Sequence, residues 1–172
     1  MKKSLVIASI VTLSLVGIGL LVISNRNVPD QSDRQTPEKA PDFNLQNFEG
    51  KIVRLTDFTG KPLVINSWAA WCPFCRKELV DFAAAQKEFG DKVTIIAIDR
   101  SEALNVAKKY TDELGVTNEL ILLLDPSDNF YQSIGGFSMP ETIFIDKNGE
   151  IIEHKRGPMD VNEMRLKIEK IL

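Results

Sequence analysis

Residues 63–68 and 93–99 form two apolar runs of strand length. Continuous apolar runs of this kind are typical of strands in a sheet that is covered on both faces. Residues 78–85 follow the first run and are predicted to be a helix. Residues 101–114 follow the second run and are predicted to be a crossover helix. This order of strands and helices predicts a parallel βαβ unit.

The C-terminal part of the chain adds a hairpin and a final helix. Residues 142–146 and 150–153 bracket an Asn148-Gly149 turn, and Asn-Gly supplies the positive φ angles that a tight hairpin needs. Residues 161–172 place apolar side chains at helical spacing, which predicts an amphipathic helix that packs on the sheet.

Shorter segments complete the predicted sheet. An N-terminal hairpin is predicted where residues 43–45 and 52–55 flank Glu49-Gly50. Residues 120–124 form another short apolar run, and residues 126–134 are predicted to be a short helix. Together these elements predict an α/β fold whose central mixed β-sheet is flanked by helices on both faces.

The N-terminal stretch is predicted to span a membrane. Residues 4–24 carry no charge and follow Lys2 and Lys3. A helix of this length reaches about 30 Å, the thickness of the hydrocarbon core of a bilayer. The alternative is a cleaved signal peptide, whose apolar region is usually about 7 to 15 residues long and ends in a small-residue site. Because this run is longer and residues 22–25 are a poor cleavage site, we expect an uncleaved anchor with the N-terminus in the cytoplasm and the rest outside.

Three segments follow from this division of the chain. Residues 1–24 are the transmembrane anchor, residues 25–40 are a polar flexible linker, and residues 41–172 are one domain with one core. The formal net charge of −3 shows no basic excess, which argues against nucleic acid as a partner. We expect a single-pass protein of the cell membrane, a monomer that contacts the lipid bilayer through residues 4–24.

The two cysteines of the chain, Cys72 and Cys75, lie between the first predicted strand and its helix. At the start of a helix the exposed N–H groups and the helix dipole favour an anion, so the thiolate of Cys72 should be stabilised there. Pro73 is tolerated in a first helical turn. Cys75 lies further into the helix, and we expect it to be more buried and to act as the resolving thiol.

Three other roles of the cysteines compete with redox chemistry. A structural zinc site needs about four ligands, and the chain offers two Cys and the distant His154, so no metal site is expected. A purely structural disulfide that closes so short a loop contributes only about 2 kcal/mol. Two inert core cysteines remain an alternative, but Trp71-Cys-x-x-Cys between strand and helix favours redox chemistry.

Residues 64–78, together with residues 139–146, resemble the thioredoxin superfamily, and within it the membrane-tethered TlpA/ResA/DsbE-type thiol-disulfide oxidoreductases. The resemblance runs from about Ala40 to the C-terminus and implies a thioredoxin-like fold with an added N-terminal hairpin. It also implies protein thiols and disulfides as substrates and a membrane protein as electron donor or acceptor. No cofactor is expected besides the redox-active cysteine pair.

The resemblance assigns roles to further residues. It implies that Pro140 is cis and lies beside the cysteines, which leaves the backbone of Met139 free to pair with a substrate strand. Asn66 occupies the position of a buried acid in thioredoxin and cannot take a proton. Glu78 matches a glutamate that tunes the thiols in this group, and burial would let it pass protons to Cys75. The other interpretation of Glu78 is an ordinary solvated glutamate.

Aromatic residues near the cysteines are expected to contact partners. Trp71 is predicted to form an apolar rim beside Cys72 or to pack over the helix start, and Phe74 is predicted to be exposed. Phe74 and Pro73 are also expected to tune the reduction potential, whereas Trp68 is expected to be a core residue.

Two departures from the family pattern precede and follow Pro140. Residues 135–138 differ from the commoner sequence, and Glu141 stands where threonine is usual. A carboxylate close to the site would raise a thiol pKa, but the preferred expectation is that Glu141 points into water. His154 is expected to lie on the surface beyond the last hairpin strand, without a catalytic role.

The function expected from the resemblance is disulfide exchange outside the cytoplasm, as a reductant in cytochrome c maturation and cell redox homeostasis. A disulfide-forming oxidase remains an alternative, since a proline after the first cysteine also occurs in oxidising relatives. A thiol peroxidase is disfavoured because Ala69 stands where those enzymes place threonine. A non-catalytic binding module is the remaining alternative.

Overall fold

The computed structural model describes residues 38–172. The predictions for residues 1–37, including the membrane span, lie outside the described residues. Among residues 38–172, no helix is both long and apolar enough to cross a membrane.

A single seven-stranded sheet forms the centre of the domain, in the order β2-β1-β5-β4-β3-β6-β7. The β3–β4 and β4–β5 pairs are parallel, and the other neighbouring pairs are antiparallel, so the predicted mixed sheet is confirmed. The strands are β1 (Asn44–Asn47), β2 (Ile52–Arg54), β3 (Leu63–Trp68), β4 (Thr94–Arg100), β5 (Ile121–Asp125), β6 (Glu141–Ile145) and β7 (Ile151–Arg156).

Four α-helices and two short 3-10 helices connect the strands within the described part of the chain. The α-helices are α1 (Cys75–Phe89), α2 (Leu104–Leu114), α3 (Asn129–Ser133) and α4 (Val161–Glu169), and the 3-10 helices are Leu55–Phe58 and Gly90–Lys92. The predicted βαβ unit is confirmed, because α2 connects the parallel strands β4 and β5, and α1 connects the parallel strands β3 and β4 in the same way.

Two apolar cores cover the two faces of the sheet. Along β4, Ile95 and Ala97 belong to one core, and Ile96 and Ile98 belong to the other, as the alternation of side chains along a strand requires. Side chains of α1, α2 and α4 complete the first core, which contains both cysteines. Side chains of α3 and Phe43 complete the second core.

Both predicted hairpins are present, with small differences in detail. The β1–β2 and β6–β7 pairs are antiparallel. In the turn between β6 and β7, Gly149 has a positive φ of 78° but Asn148 does not, so only one of the two turn residues is left-handed. The carboxylate of Asp146 accepts the N–H groups of Asn148 and Glu150, and this fixes the turn without a second positive φ.

Residues 38–40 are hydrogen-bonded to the β6–β7 hairpin. The N–H of Ala40 donates to the carbonyl of Gly149, and the N–H of Ile151 donates to the carbonyl of Glu38. Lys39 pairs with Glu150 through both a β-bridge and an ion pair. The chain therefore joins the sheet at the turn end of this hairpin.

The register of the sheet brings the ends of three neighbouring strands together at one end of the sheet. Trp68, the last residue of β3, lies opposite Asp99 of β4, and Ser67 lies opposite Glu141, the first residue of β6. The segments that leave β3 and enter β6 therefore meet at this edge. The cysteines follow β3, and Pro140 precedes β6, so the fold brings these two parts of the sequence together.

Candidate active site at the end of the third strand

Cys72 and Cys75 form a disulfide between β3 and α1. Helix α1 begins at Cys75, and the backbone N–H of Cys75 donates a hydrogen bond of 3.2 Å to Sγ of Cys72. This N–H belongs to the first turn of the helix, where backbone donors lack helical acceptors and the helix dipole is positive. After reduction, the same donor would stabilise negative charge on Sγ of Cys72 and so favour the thiolate.

Pro73 and Phe74 lie between the cysteines and before the helix. Pro73 was predicted to lie in the first helical turn, and this prediction is wrong. The helix starts two residues later, and Pro73 is an exposed turn residue. Trp71 and Phe74 are exposed to 62% and 59% of their surface, whereas Trp68 is buried and stacks on Tyr110. The predicted exposure of Phe74 and the predicted core position of Trp68 are confirmed.

The disulfide itself is shielded from solvent. Cys72 is 1% exposed and Cys75 is 0% exposed, so the expected difference in burial between them is small in the oxidised protein. Both residues belong to the core on the α1 face of the sheet. A partner sulfur therefore reaches Cys72 only after a local displacement of the surrounding side chains or backbone.

Glu78 is buried one helical turn after Cys75, which contradicts the interpretation of a solvated glutamate. Its Oε1 accepts the backbone N–H of Met159, and its Oε2 accepts the side-chain amide of Asn66, each at 3.1 Å. Burial raises the pKa of Glu78 to about 7, against the opposing effect of these two hydrogen bonds. Residues three apart on a helix are neighbours, so a group that exchanges protons near neutral pH lies close to Cys75.

Asn66 connects Glu78 to the strand that follows Pro140. Its Nδ2 donates to Oε2 of Glu78 and to the hydroxyl of Thr142, at 3.1 and 3.0 Å. Oδ1 of Asn66 is buried without a hydrogen-bond partner among the described residues. The amide thus orients the carboxyl of Glu78 but carries no titratable proton of its own.

The Met139–Pro140 peptide bond is cis, as predicted. Met139 is partly buried and packs against the core that contains both cysteines. Within residues 38–172 the N–H and the carbonyl of Met139 have no hydrogen-bond partner. This backbone is therefore available to an added strand.

Glu141 is fully buried, so the expectation that it points into water is wrong. Its Oε2 accepts the backbone N–H groups of Phe137 and Ser138 at 2.8 and 3.1 Å. Its Oε1 lies 2.6 Å from Nε2 of His154 and 3.2 Å from Nε of Arg156. Because both faces of the sheet are covered, a side chain on β6 has little access to solvent, and these partners compensate the buried carboxylate.

His154 lies within β7, so the prediction that it lies beyond this strand is wrong, and its side chain is half-buried at 20% exposure. In the β6–β7 register His154 lies opposite Ile143, two pairs from Glu141 and Arg156 and therefore on the same face of the sheet. The contact of His154 with Glu141 is that of an ion pair in distance, although neither atom has a hydrogen-bond partner of good geometry.

A pair of carboxyl groups near the site was not found from the sequence. Asp99 is buried at the end of β4, and its Oδ1 accepts the N–H of Glu102 at 3.3 Å. Oε2 of Glu102 accepts the N–H of Ala70, two residues before Cys72. Burial, and then the adjacent Glu102, raise the pKa of Asp99. The available signal in the sequence was Asp99 itself, a charged residue at the end of an apolar strand.

Comparison with known proteins places these features in a family. The model of the AhpC/TSA family matches residues 36–154. The chain is 27% identical to the thiol-disulfide oxidoreductase ResA of Bacillus anthracis over 171 residues, which covers 99% of this chain and 98% of the relative. It is 30% identical to the thioredoxin-like protein YneN of Bacillus subtilis (strain 168) over 138 residues, which covers 78% and 79%.

Two solved structures share the fold. A Chlorobium tepidum protein assigned as thiol:disulfide interchange protein DsbE superposes with a TM-score of 0.73 at 25% identity, over 78% of this chain and 96% of that one. The pneumococcal exposed lipoprotein thioredoxin Etrx1 of Streptococcus pneumoniae superposes with a TM-score of 0.65 at 28% identity, over 76% and 99%. The chain thus combines a thioredoxin-like fold with a Cys72–Cys75 disulfide and is similar to proteins named thiol-disulfide oxidoreductases.

Proposed function

Since the chain belongs to the AhpC/TSA family and is a thioredoxin-like thiol-disulfide oxidoreductase, we propose that it reduces disulfides in partner proteins outside the cytoplasm. The proposed substrates include the haem-attachment cysteines of apocytochrome c, and the proposed electron source is a membrane protein. The observation that carries the exchange chemistry is the Cys72–Cys75 disulfide at the start of α1, with the buried carboxyl of Glu78 one helical turn after Cys75.

The reaction consists of two exchange steps. The thiolate of Cys72 attacks one sulfur of the partner disulfide, so that an S–S bond forms between the two proteins and the other partner sulfur leaves as a thiolate and takes up a proton. The thiol of Cys75 then loses its proton and attacks Sγ of Cys72, which releases the second partner thiolate. Two electrons pass to the partner, and the Cys72–Cys75 disulfide of the present structure is the product.

The buried groups of the site support the second step. Cys75 is fully buried, and a buried thiol holds its proton more tightly than an exposed one. Glu78 in its ionised form is the proposed acceptor of that proton, and it is held in place by Met159 and Asn66. The N–H of Cys75 stabilises negative charge on Sγ of Cys72 when this sulfur attacks the partner in the first step. It does the same when Cys72 leaves as a thiolate at the end of re-reduction by the electron donor. The cysteine pair is the redox group, and these steps need no cofactor.

The anchor and the location are part of the same proposal. Residues 4–24 are proposed to hold the domain at the outer face of the cell membrane, with the N-terminus in the cytoplasm. The expected result is that the full chain stays with membranes after an alkaline wash and that its domain is digested by protease added to intact protoplasts. Release into the soluble fraction would contradict the anchor and leave the exchange chemistry untouched.

Direction of electron flow is tested by the redox state of the pair in growing cells. A thiol-alkylating reagent of large mass, added during acid quenching, separates the reduced and oxidised forms on a gel. A mostly reduced pair, together with loss of c-type cytochromes on deletion, supports the reductant. A mostly oxidised pair supports the alternative, a disulfide-forming oxidase, which Pro73 between the cysteines favours.

A further inference from the structure

The loop before the cis proline is fixed by internal hydrogen bonds. We call residues 135–138 the pre-proline loop. The N–H groups of Phe137 and Ser138 donate to Oε2 of Glu141 at 2.8 and 3.1 Å. The hydroxyl of Tyr131 donates to the carbonyl of Ser138 at 2.8 Å. The loop is therefore held from both sides of its backbone.

Glu141 is built to hold this loop rather than to face solvent. The carboxylate is fully buried, and Arg156 and His154 lie beside its other oxygen at 3.2 and 2.6 Å. A buried carboxylate persists when it is paired and hydrogen-bonded; here Oε2 accepts two hydrogen bonds, and Oε1 lies at ion-pair distance from Arg156. Glu141 follows Pro140 directly, so the anchor of the loop and the cis proline are adjacent in the chain.

Gly136 allows the loop to approach Tyr131. A Cβ atom at position 136 would lie 2.3 Å from Cε1 of Tyr131, which is closer than atoms can approach. The N–H of Gly136 donates to the carbonyl of Tyr131 at 2.9 Å. The ring of Tyr131 is in turn covered by the guanidinium of Arg100, whose Cζ is 3.4 Å from the ring centroid. The loop conformation thus depends on several specific contacts.

This fixed loop presents an aromatic side chain to solvent. Phe137 is 85% exposed, the most exposed of the large apolar residues in the described part of the chain. Its backbone N–H is occupied by Glu141, so the loop offers the side chain of Phe137 and not that N–H. An ordered loop that already holds a large apolar side chain in water can offer it to a partner without a further cost of ordering the loop.

Phe137 is close in sequence to a residue that packs against the core of the disulfide site. It lies two residues before Met139, whose side chain packs against the core that contains Cys72 and Cys75. The N–H and carbonyl of Met139 have no partner within residues 38–172 and can pair with an extended segment. A segment paired with Met139 would run past Phe137.

We propose that Phe137 is a specificity-determining contact for the extended segment of a partner protein that carries the reacting disulfide, and that Glu141 is the positioning residue that holds Phe137 in place. The segment recognised carries an apolar side chain near its cysteine, because an exposed phenyl ring excludes water most effectively against another apolar group. This inference rests on the proposed exchange with partner proteins.

Two short disulfide-containing peptides test the proposal. One carries leucine and the other serine at the positions flanking its cysteines. The second-order rate constant of the reduced enzyme with each peptide is measured by stopped-flow tryptophan fluorescence. Phe137→Ser is expected to lower the leucine-to-serine ratio of rate constants about tenfold, equivalent to about 1.4 kcal/mol. Leu166→Ser, a matched change at a residue of α4 that is 62% exposed, should leave the ratio unchanged.

Variants of Glu141 test the positioning role. Glu141→Thr cannot reach the loop and is expected to lower the peptide ratio as Phe137→Ser does. Glu141→Gln retains an acceptor oxygen for the N–H groups of Phe137 and Ser138 and should restore the ratio. A merely structural role would slow both peptides equally and leave the ratio unaltered.

An unchanged ratio in Phe137→Ser overturns the inference while leaving the exchange function in place. Failure of the unaltered enzyme to reduce even bis(2-hydroxyethyl) disulfide, a small probe that needs no docking, overturns the exchange function as well. The two failures are therefore distinguishable. A lowered ratio in Phe137→Ser with an unchanged ratio in Glu141→Thr overturns the role of Glu141.

Discussion

The backbone N–H of Met159 donates a hydrogen bond of 3.1 Å to Oε1 of Glu78, which connects α1 to the segment that leads into α4. Met159 belongs to the core that contains the two cysteines. The carboxyl of Glu78 is therefore both a structural link between distant parts of the chain and a titratable group at the redox site. Its protonation is expected to affect stability and exchange separately.

The first prediction concerns stability and Glu78. Burial raises the pKa of Glu78 from 4.5 to about 7, with a smaller contribution from Asp81 in the same direction and from Lys155 in the opposite one. The folded protein thus binds this proton more tightly than the unfolded chain. Stability is expected to fall as pH rises from about 4.5 to 7, by roughly 3 kcal/mol from this group. Urea unfolding of the oxidised protein at several pH values measures the loss.

Glu78→Gln should remove that pH dependence. Rotation of the Asn66 amide would place its unpartnered Oδ1 against the new amide group, so the variant can keep its hydrogen bonds. Glu113→Gln, at an exposed carboxyl on α2, serves as the matched control and should leave the pH dependence as it is. An identical slope in the Glu78→Gln variant and the unaltered protein would contradict the prediction.

The second prediction concerns the role of Glu78 in exchange. Glu78→Gln cannot accept the proton of Cys75, so the mixed disulfide with a partner should resolve at least about tenfold more slowly near pH 7. Formation of the mixed disulfide by Cys72 should change less. Acid quenching followed by mass spectrometry measures how long the adduct persists. Equal lifetimes of the adduct across pH 5 to 9, with and without Glu78, would show that the carboxyl plays no part.

The third prediction concerns covalent trapping. Cys75→Ser keeps the attacking sulfur but lacks the resolving one, so partner proteins should remain attached through Cys72 until a reductant is added. Cys72→Ser leaves only Cys75, whereas the N–H donor at the start of α1 contacts Sγ of Cys72, so this variant should capture no partner. Non-reducing gels of both variants, each recovered from cells, compare the adducts. Equal recovery from the two variants would assign the attacking role to neither sulfur.

The fourth prediction concerns the carboxyl pair of Asp99 and Glu102. Burial raises the pKa of Asp99, so the folded protein binds this proton more tightly than the unfolded chain does and loses stability as pH rises. Asp99→Asn carries no charge and should be more stable than the unaltered protein at pH 9, by about 2 kcal/mol, with a smaller difference at pH 5. Asp91→Asn, at an exposed aspartate, is the control for unfolding experiments. If the stability difference between Asp99→Asn and the unaltered protein does not grow with pH, the raised pKa of Asp99 is contradicted.

The fifth prediction concerns the pre-proline loop. Gly136→Ala places a methyl group 2.3 Å from a ring atom of Tyr131 and should destabilise the fold by about 1 to 3 kcal/mol. In a Tyr131→Ala background the same change should cost much less, because the ring that it meets is gone. A double-mutant cycle by thermal or urea unfolding yields the coupling. Additive effects of the two changes would contradict the contact.

Local patterns in the sequence were sufficient for the cysteine site. The strand, the thiols and the helix are contiguous in the chain, so their junction could be predicted from spacing alone. The βαβ unit and both hairpins followed from apolar runs and turn residues in the same way. The antiparallel pairing of β1 with β5 joins parts of the chain that are remote in sequence, and no local pattern indicates it.

The environment of the charged residues was harder to predict. Glu141 lies at the start of a strand in a sheet covered on both faces, so either orientation of its side chain was going to be buried. Its partners come from the neighbouring strand and from the loop before Pro140, and their register depends on a bulge between Phe144 and Ile145. Periodicity does not reveal which polar groups such a register brings together. The link between Glu102 and Ala70 was missed for the same reason.

The attachment of residues 38–40 to the turn of the last hairpin has a consequence for orientation. Strand β6 begins after Pro140, near the sulfur atoms, and ends at Ile145, near this turn. At 3.4 Å per residue, Pro140 and Ile145 are about 17 Å apart. Residues 38–40 and the disulfide therefore lie at opposite ends of the sheet. A bead or a fusion partner attached at Glu38 would therefore be joined to the domain at the end opposite the sulfur atoms.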